Sequence, residues 1–167
     1  MAIELGLDRV SGRSTDTIRA IAFARPRRAP MATSVRIADY FYIDVPERSG
    51  EGAHVLGQLR DAGVNLLAVS GFPAGRRAQI DFVPENPAAF RAAAKKAGWK
   101  VTGPKKVFLI DGEDRVGVMA EAMERLAAAK ISIVSSQAIC AGAGRFGAML
   151  WVALRDVRRA AKALGAG

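Results

Sequence analysis

From residue 40 onward, short apolar runs alternate with stretches in which apolar residues recur every three or four positions. The runs Tyr40-Phe41-Tyr42-Ile43 and Val107-Phe108-Leu109-Ile110 predict strands. The stripes Val55, Leu56, Leu59, Ala62 and Met119, Ala122, Met123, Leu126, Ala129 predict amphipathic helices. Segments around 64–72 and 131–139, rich in Val, Ile and Leu, predict a second strand in each half. A third strand alternates, with Ala78, Ile80 and Phe82 on one face and Gln79 and Asp81 on the other, the pattern of a sheet with one wet face. Turn sequences precede it and its counterpart, Phe72-Pro73-Ala74-Gly75 and Ala141-Gly142-Ala143-Gly144. Asn86-Pro87 opens another helix, with Asn as cap and Pro in the first turn.

The two halves are copies. One ungapped shift of 67 residues lays Tyr40–Asp44 on Val107–Asp111, Glu47–Gly50 on Asp114–Gly117, and Val64–Leu67 on Ile131–Val134. It also lays Phe90, Ala93, Ala94 and Ala97 on Val157, Ala160, Ala161 and Leu164. A short strand near Trp99–Thr102 completes the first copy as βαββαβ, the ferredoxin-like order. The second copy reaches Gly167 without room for that last strand, so its edge must be open or covered by another element or subunit. The expected fold is therefore α+β: two tandem ferredoxin-like domains with antiparallel sheets, over 35–103 and 104–167, behind an N-terminal extension, 1–34.

These residues resemble a known family, the ACT domain. The likeness rests on a strand ending in Asp, the loop Pro46-Glu47-Arg48-Ser49-Gly50, a helix, and Ala62-Gly63-Val64-Asn65-Leu66 entering the second strand. Asp114-Arg115-Val116-Gly117 followed by Ala129-Lys130-Ile131-Ser132-Ile133 is the second occurrence. Glu85-Asn86-Pro87 through Ala97-Gly98-Trp99 is similar to the second helix of stand-alone tandem ACT proteins. The resemblance covers about residues 38–165 and implies a regulatory module, not an enzyme, that binds an amino acid or similar small carboxylate at an interface between two ACT units. It further implies a site made by the first loop of one unit and the second-strand entry of its neighbour. Val116 stands where the family usually has Pro and Ser132 where it often has Asn, so the two sites are not expected to be equivalent.

The chemistry of the same positions points the same way. Gly50 and Gly117 sit where a strand feeds a helix N-terminus, so a ligand can approach backbone N–H groups that lack an intrahelical partner. Those amides and the helix dipole favour a carboxylate. Asp44 and Asp111 can accept from an ammonium, and Asn65 both donates and accepts. The expected ligand set is Asp44, Arg48, Ser49, Gly50 and Asn65 from the first copy with Asp111, Arg115, Gly117 and Ser132 from the second. The bland alternative is that the glycines only permit tight loops, Ser49 or Asp114 only caps a helix, and the aspartates are solvated strand ends.

Composition narrows the remaining choices. One cysteine, Cys140, cannot form an intramolecular disulfide and fits a reducing, cytoplasmic setting. One histidine, His54, denies the chain a multi-imidazole metal site, and neither metal nor cofactor is expected. No apolar run approaches the roughly 18 residues of a membrane span. The net charge of +9 includes +3 from residues 1–30, a segment ending in Ala24-Arg25-Pro26-Arg27-Arg28-Ala29-Pro30 and read as an extension ahead of Met31. The other basic residues are scattered, as on a solvated surface. An RNA-binding protein using an RRM-like sheet is the alternative from another class, but no Lys/Arg-Gly-Phe-type motif stands on the third strand. A ligand-free assembly scaffold is a further alternative. Gly142-Ala143-Gly144-Arg145-Phe146-Gly147 matches the dinucleotide fingerprint literally, yet strand-like Ala148–Val152 follows it, so it reads as a hairpin turn. An open sheet edge further suggests a homo-oligomer, a dimer first of all, and a regulated protein partner remains to be identified.

Overall fold

The computed structural model describes residues 33–166; the expected extension lies almost wholly outside the described residues. The first copy runs β1 (Ser34–Pro46), α1 (Glu51–Asp61), β2 (Leu66–Ala74), β3 (Arg77–Pro84) and α2 (Pro87–Lys96). The second runs β4 (Thr102–Glu113), α3 (Val118–Ala128), β5 (Ile133–Gly142), β6 (Arg145–Val152) and α4 (Val157–Leu164). All six strands join one antiparallel sheet in the order β2-β3-β1-β4-β6-β5. Asn86 caps α2 as its sequence predicts, its Oδ1 accepting from the Ala88 and Ala89 amides. The 142–147 segment is a hairpin between β5 and β6.

The last strand of each copy is where sequence and structure part. Trp99–Thr102 is not a strand of its own: pairing starts at Thr102 and continues unbroken into the second copy as β4. The place left vacant beside the second copy is filled by the front half of β1, with Ser34 opposite Asp111 and Tyr40 opposite Lys105. Each copy thus completes the other. β1 and β4 are pseudo-twofold mates, and Asp39 faces its own counterpart, Lys106, on the local axis, with Nζ 2.5 Å from Oδ1. That pair is partly exposed, so it fixes register more than it adds stability. Symmetry breaks at Gly103, which bulges at φ +131°. A Cβ there would lie 2.9 Å from both the Tyr40 carbonyl oxygen and the Phe41 ring. Gly103→Ala is accordingly expected to cost about 1–3 kcal/mol, measured by denaturant unfolding.

All four helices cover one face of the sheet. Alternation sends Phe41, Ile43, Ile80 and Phe82 under α1 and α2, and Phe108, Ile110, Ala148 and Leu150 under α3 and α4, giving two cores. The other face is not simply wet. Val83, Val107, Leu109 and Trp151 are buried on it, joined by Ala38, Tyr40, Ala68 and Met149. Curvature explains this: Ser70 and Phe72 of edge strand β2 wall the same pocket as Val134 and Ser135 of the opposite edge strand β5. The uncovered face is a trough.

Candidate functional site

Two clefts at the outer ends of the sheet contain the predicted loops. In the first copy, Arg48 and Ser49 of the β1–α1 loop face Val69–Pro73 of β2 across an opening of about 560 Å³. In the second, Asp114, Arg115 and Gly117 face Ala138–Cys140 of β5 across about 300 Å³. Gly50 and Gly117 are the N-caps of α1 and α3, at φ +91° and +83°, and no side chain caps either helix. A Cβ at either glycine would meet nothing within 4 Å, so open space lies over both helix starts.

The predicted ligand set is only partly gathered. Arg48 is engaged with Glu51, and Arg115 with both carboxylate oxygens of Glu121. The Arg115 guanidinium holds the Glu121 carboxyl below its ordinary value, chiefly through that hydrogen bond. Asp111 pairs with Arg145 at 3.0 Å, and the Asp44 carbonyl accepts from Arg77 at 2.6 Å. Asn65 donates to Glu85 at 2.9 Å. Asn65 and Ser132 follow α1 and α3, whereas Gly50 and Gly117 precede them; 11 residues of helix separate the ends, about 16 Å. The twofold puts the two loops at opposite ends of the strands and the two second-strand entries at mid-height on the opposite edge strands β2 and β5. Within one chain, the loop of one copy therefore does not meet the entry of the other.

Cys140 is exposed, with its Sγ 3.0 Å from Asp114 Oδ2. His54 lies beside the Gly50 loop.

Sequence reasoning missed the trough. Asp81 is buried there, accepting from Gln79 Nε2 at 2.7 Å. Burial pushes its carboxyl above the ordinary value, against the opposing pull of Gln79 and of the Lys105 charge. Tyr40 is pushed up as well, first by burial and then by the Asp81 charge. The Tyr40 ring meets Trp151 edge-on at 6.0 Å, and the Lys105 ammonium lies 4.7 Å from the centroid of the Tyr42 ring. Trp151 is buried, and its indole nitrogen finds no acceptor among the described residues. Leaving such a donor unmet costs about 1–3 kcal/mol. The one sequence signal was Asp81 itself, an acid in the middle of a strand, where acids are depleted.

The raised Asp81 carboxyl has a sign that can be checked. The folded state holds this proton to a higher pH than the unfolded chain, so Asp81 withdraws stability as pH rises through and beyond the ordinary aspartate range. Asp81→Asn is therefore expected to raise the melting temperature at pH 7 and to change it little at pH 3, read by paired thermal scans.

Among known proteins, no family model and no curated protein matches the chain. Solved structures do. Protein BT0572 from Bacteroides thetaiotaomicron superposes with a TM-score of 0.69 at 16% identity, over 78% of this chain and 88% of that one. The ligand-free regulatory subunit of aspartate kinase from Thermus thermophilus gives 0.58 at 16% identity, over 82% and 97%. Its counterpart from Thermus flavus gives 0.52 at 17%, over 82% and 95%. Such low identities speak for the fold, and the fold agrees with the resemblance carried by the loop and strand motifs. The chain has a tandem ACT-type fold: two ferredoxin-like units completing one another in a single antiparallel sheet.

Proposed function

We propose that this protein is a regulatory module that binds an amino acid or similar small carboxylate and passes the event on through a change at an ACT–ACT interface. The observation that carries the reading is the duplicated outer cleft, each with an uncapped helix start under a glycine whose missing side chain leaves open space. Unpaired amides at a helix N-terminus suit a carboxylate. Two solved structures of the same fold are regulatory subunits of aspartate kinase, which supports the regulatory part.

The loop of one unit and the strand entry of the other do not meet within a chain. The interface site implied by the resemblance would therefore need a second chain, and the working form is a homodimer. Edge strand β5 offers itself for that contact, exposed along nearly its whole length. The RNA-binding alternative loses support in the trough. Trp151 is buried, Tyr40 stands edge-on to it and Lys105 covers Tyr42, so the aromatic platform that stacks bases is missing there.

Thermal scans with each of the twenty amino acids at millimolar concentration, run beside gel filtration, test the reading. One chemical class of amino acid is expected to raise the melting temperature selectively, since a ligand that prefers the folded state must stabilise it. No shift with any of them would leave only a scaffold.

A further inference from the structure

We infer that a pocket of the trough centred on Gly147 is a second binding site, suited to a monocarboxylate that carries an apolar chain and no ammonium. This goes beyond the outer clefts and does not depend on what they bind. The pocket measures about 640 Å³, inside the range of roughly 300–1,000 Å³ typical of small-molecule sites. Arg36, Asp111 and Arg145 line it, and none of the three lines an outer cleft. Edge strands β2 and β5 form its walls, so Val69, Ala138 and Ile139 border an outer cleft as well. Strand register sets the arrangement. Ser34, Asp111, Gly147 and Ile139 oppose one another in one row across β1, β4, β6 and β5. Arg36, Leu109, Met149 and Gln137 form the next row on the same face, and Arg145 stands one row beyond on the other side. The two arginines thus bracket Gly147.

Gly147 is the residue that the fold does not require. It is half-buried inside a strand, its φ lies outside the left-handed region, and a Cβ there would meet nothing within 4 Å. Neither backbone geometry nor packing calls for a glycine, which weakens a strand and often marks the close approach of a ligand. Asp111 is held by Arg145 at 3.0 Å, while the Arg36 side chain has no hydrogen-bonding or ionic partner among the described residues. Two guanidiniums against one engaged carboxylate favour an anion over a zwitterion. Leu67, Val69 and Ile139, all exposed, offer the apolar surface that the ligand's chain would cover. The pseudo-twofold supplies an internal control. Gln79 opposes Asp44 as Gly147 opposes Asp111, and its side chain occupies the mirror position, donating to Asp81 at 2.7 Å. Arg36 has Gly103 as its counterpart at the 67-residue shift. The duplication has opened one side of the trough and given it a guanidinium that the other side lacks.

The test uses the full chain with 4-methylpentanoate as probe and leucine, the same skeleton with an α-ammonium, as competitor. Affinity is read by calorimetry for the parent, Arg36→Gln, Gly147→Gln and Arg158→Gln, with far-UV circular dichroism confirming that each folds. Arg158 is exposed on α4, across the sheet from the trough, so its variant removes the same charge without touching the pocket. The parent is expected to bind 4-methylpentanoate, and saturating leucine is expected not to displace it. R36Q and G147Q, the second of which installs the residue of the first copy, should each weaken binding by about tenfold or more, the loss of a charge-assisted hydrogen bond or of the open space. R158Q should bind within about twofold of the parent. A parent that does not bind 4-methylpentanoate, or binding that R36Q and G147Q leave unchanged, would overturn this site while leaving the amino-acid reading of the outer clefts untouched. Displacement by leucine would overturn the preference for a ligand without an ammonium.

Discussion

A fragment spanning residues 104–167 is expected not to fold on its own, although it contains nearly all of the second sequence copy. Its inner strand, β4, would lose the partner that Ser34–Tyr40 supplies, leaving a long apolar strand with an unpaired edge. Val35, which packs into the core beneath α3 and α4, would go with it. Restoring Ser34–Tyr40 at the C-terminus through a short Gly-Ser linker should rescue folding, because that strand would then follow α4 as Thr102 follows α2. Short flexible closures cost little beyond the first few residues. Dispersed amide NMR signals and a cooperative melt for the graft, with neither for the bare fragment, are the expected outcome. A bare fragment that melts cooperatively as a monomer would show that the exchange of strands is not needed.

Phe90→Ala should cause the largest loss from a single substitution. Phe90 is fully buried, stacked on Phe41 at 5.0 Å and tilted against Phe82 at 5.3 Å, so truncation empties the centre of the first core. Phe→Ala in a packed interior costs about 3–5 kcal/mol. For a chain of this size that lowers the melting temperature by on the order of 10 °C. Phe90→Leu keeps most of the volume and should recover much of the loss. Equal stability for alanine and leucine at this position would mean that the core closes around the gap.

Local pattern made the repeat legible. The 67-residue shift, the Asn86-Pro87 cap, the two hairpins and the inward set Ala78, Ile80 and Phe82 are all written in short stretches of chain. The exchange of last strands was not, because Ser34 finds Asp111 across the whole first copy and no nearby residue names its partner. Alternation at Gln79 and Asp81 read as a wet face for the same reason. Whether that face meets water depends on how far six strands curl together, which is a property of the assembled sheet. The outer loops were legible as loops, with Gly50 and Gly117 in the conformation glycine favours. That Arg48, Arg115 and Asp111 would already be engaged by neighbouring charges depended on side-chain reach that spacing does not give.

The measurement closest to the central claim is a calorimetric titration of the intact chain with the amino acid that gives the largest thermal shift. Saturable binding at micromolar-to-millimolar strength, about −8 to −4 kcal/mol, is the expected result, together with a change in sedimentation that tracks occupancy. A flat titration and an unchanged sedimentation profile would contradict the claim that this chain is a ligand-responsive regulatory module.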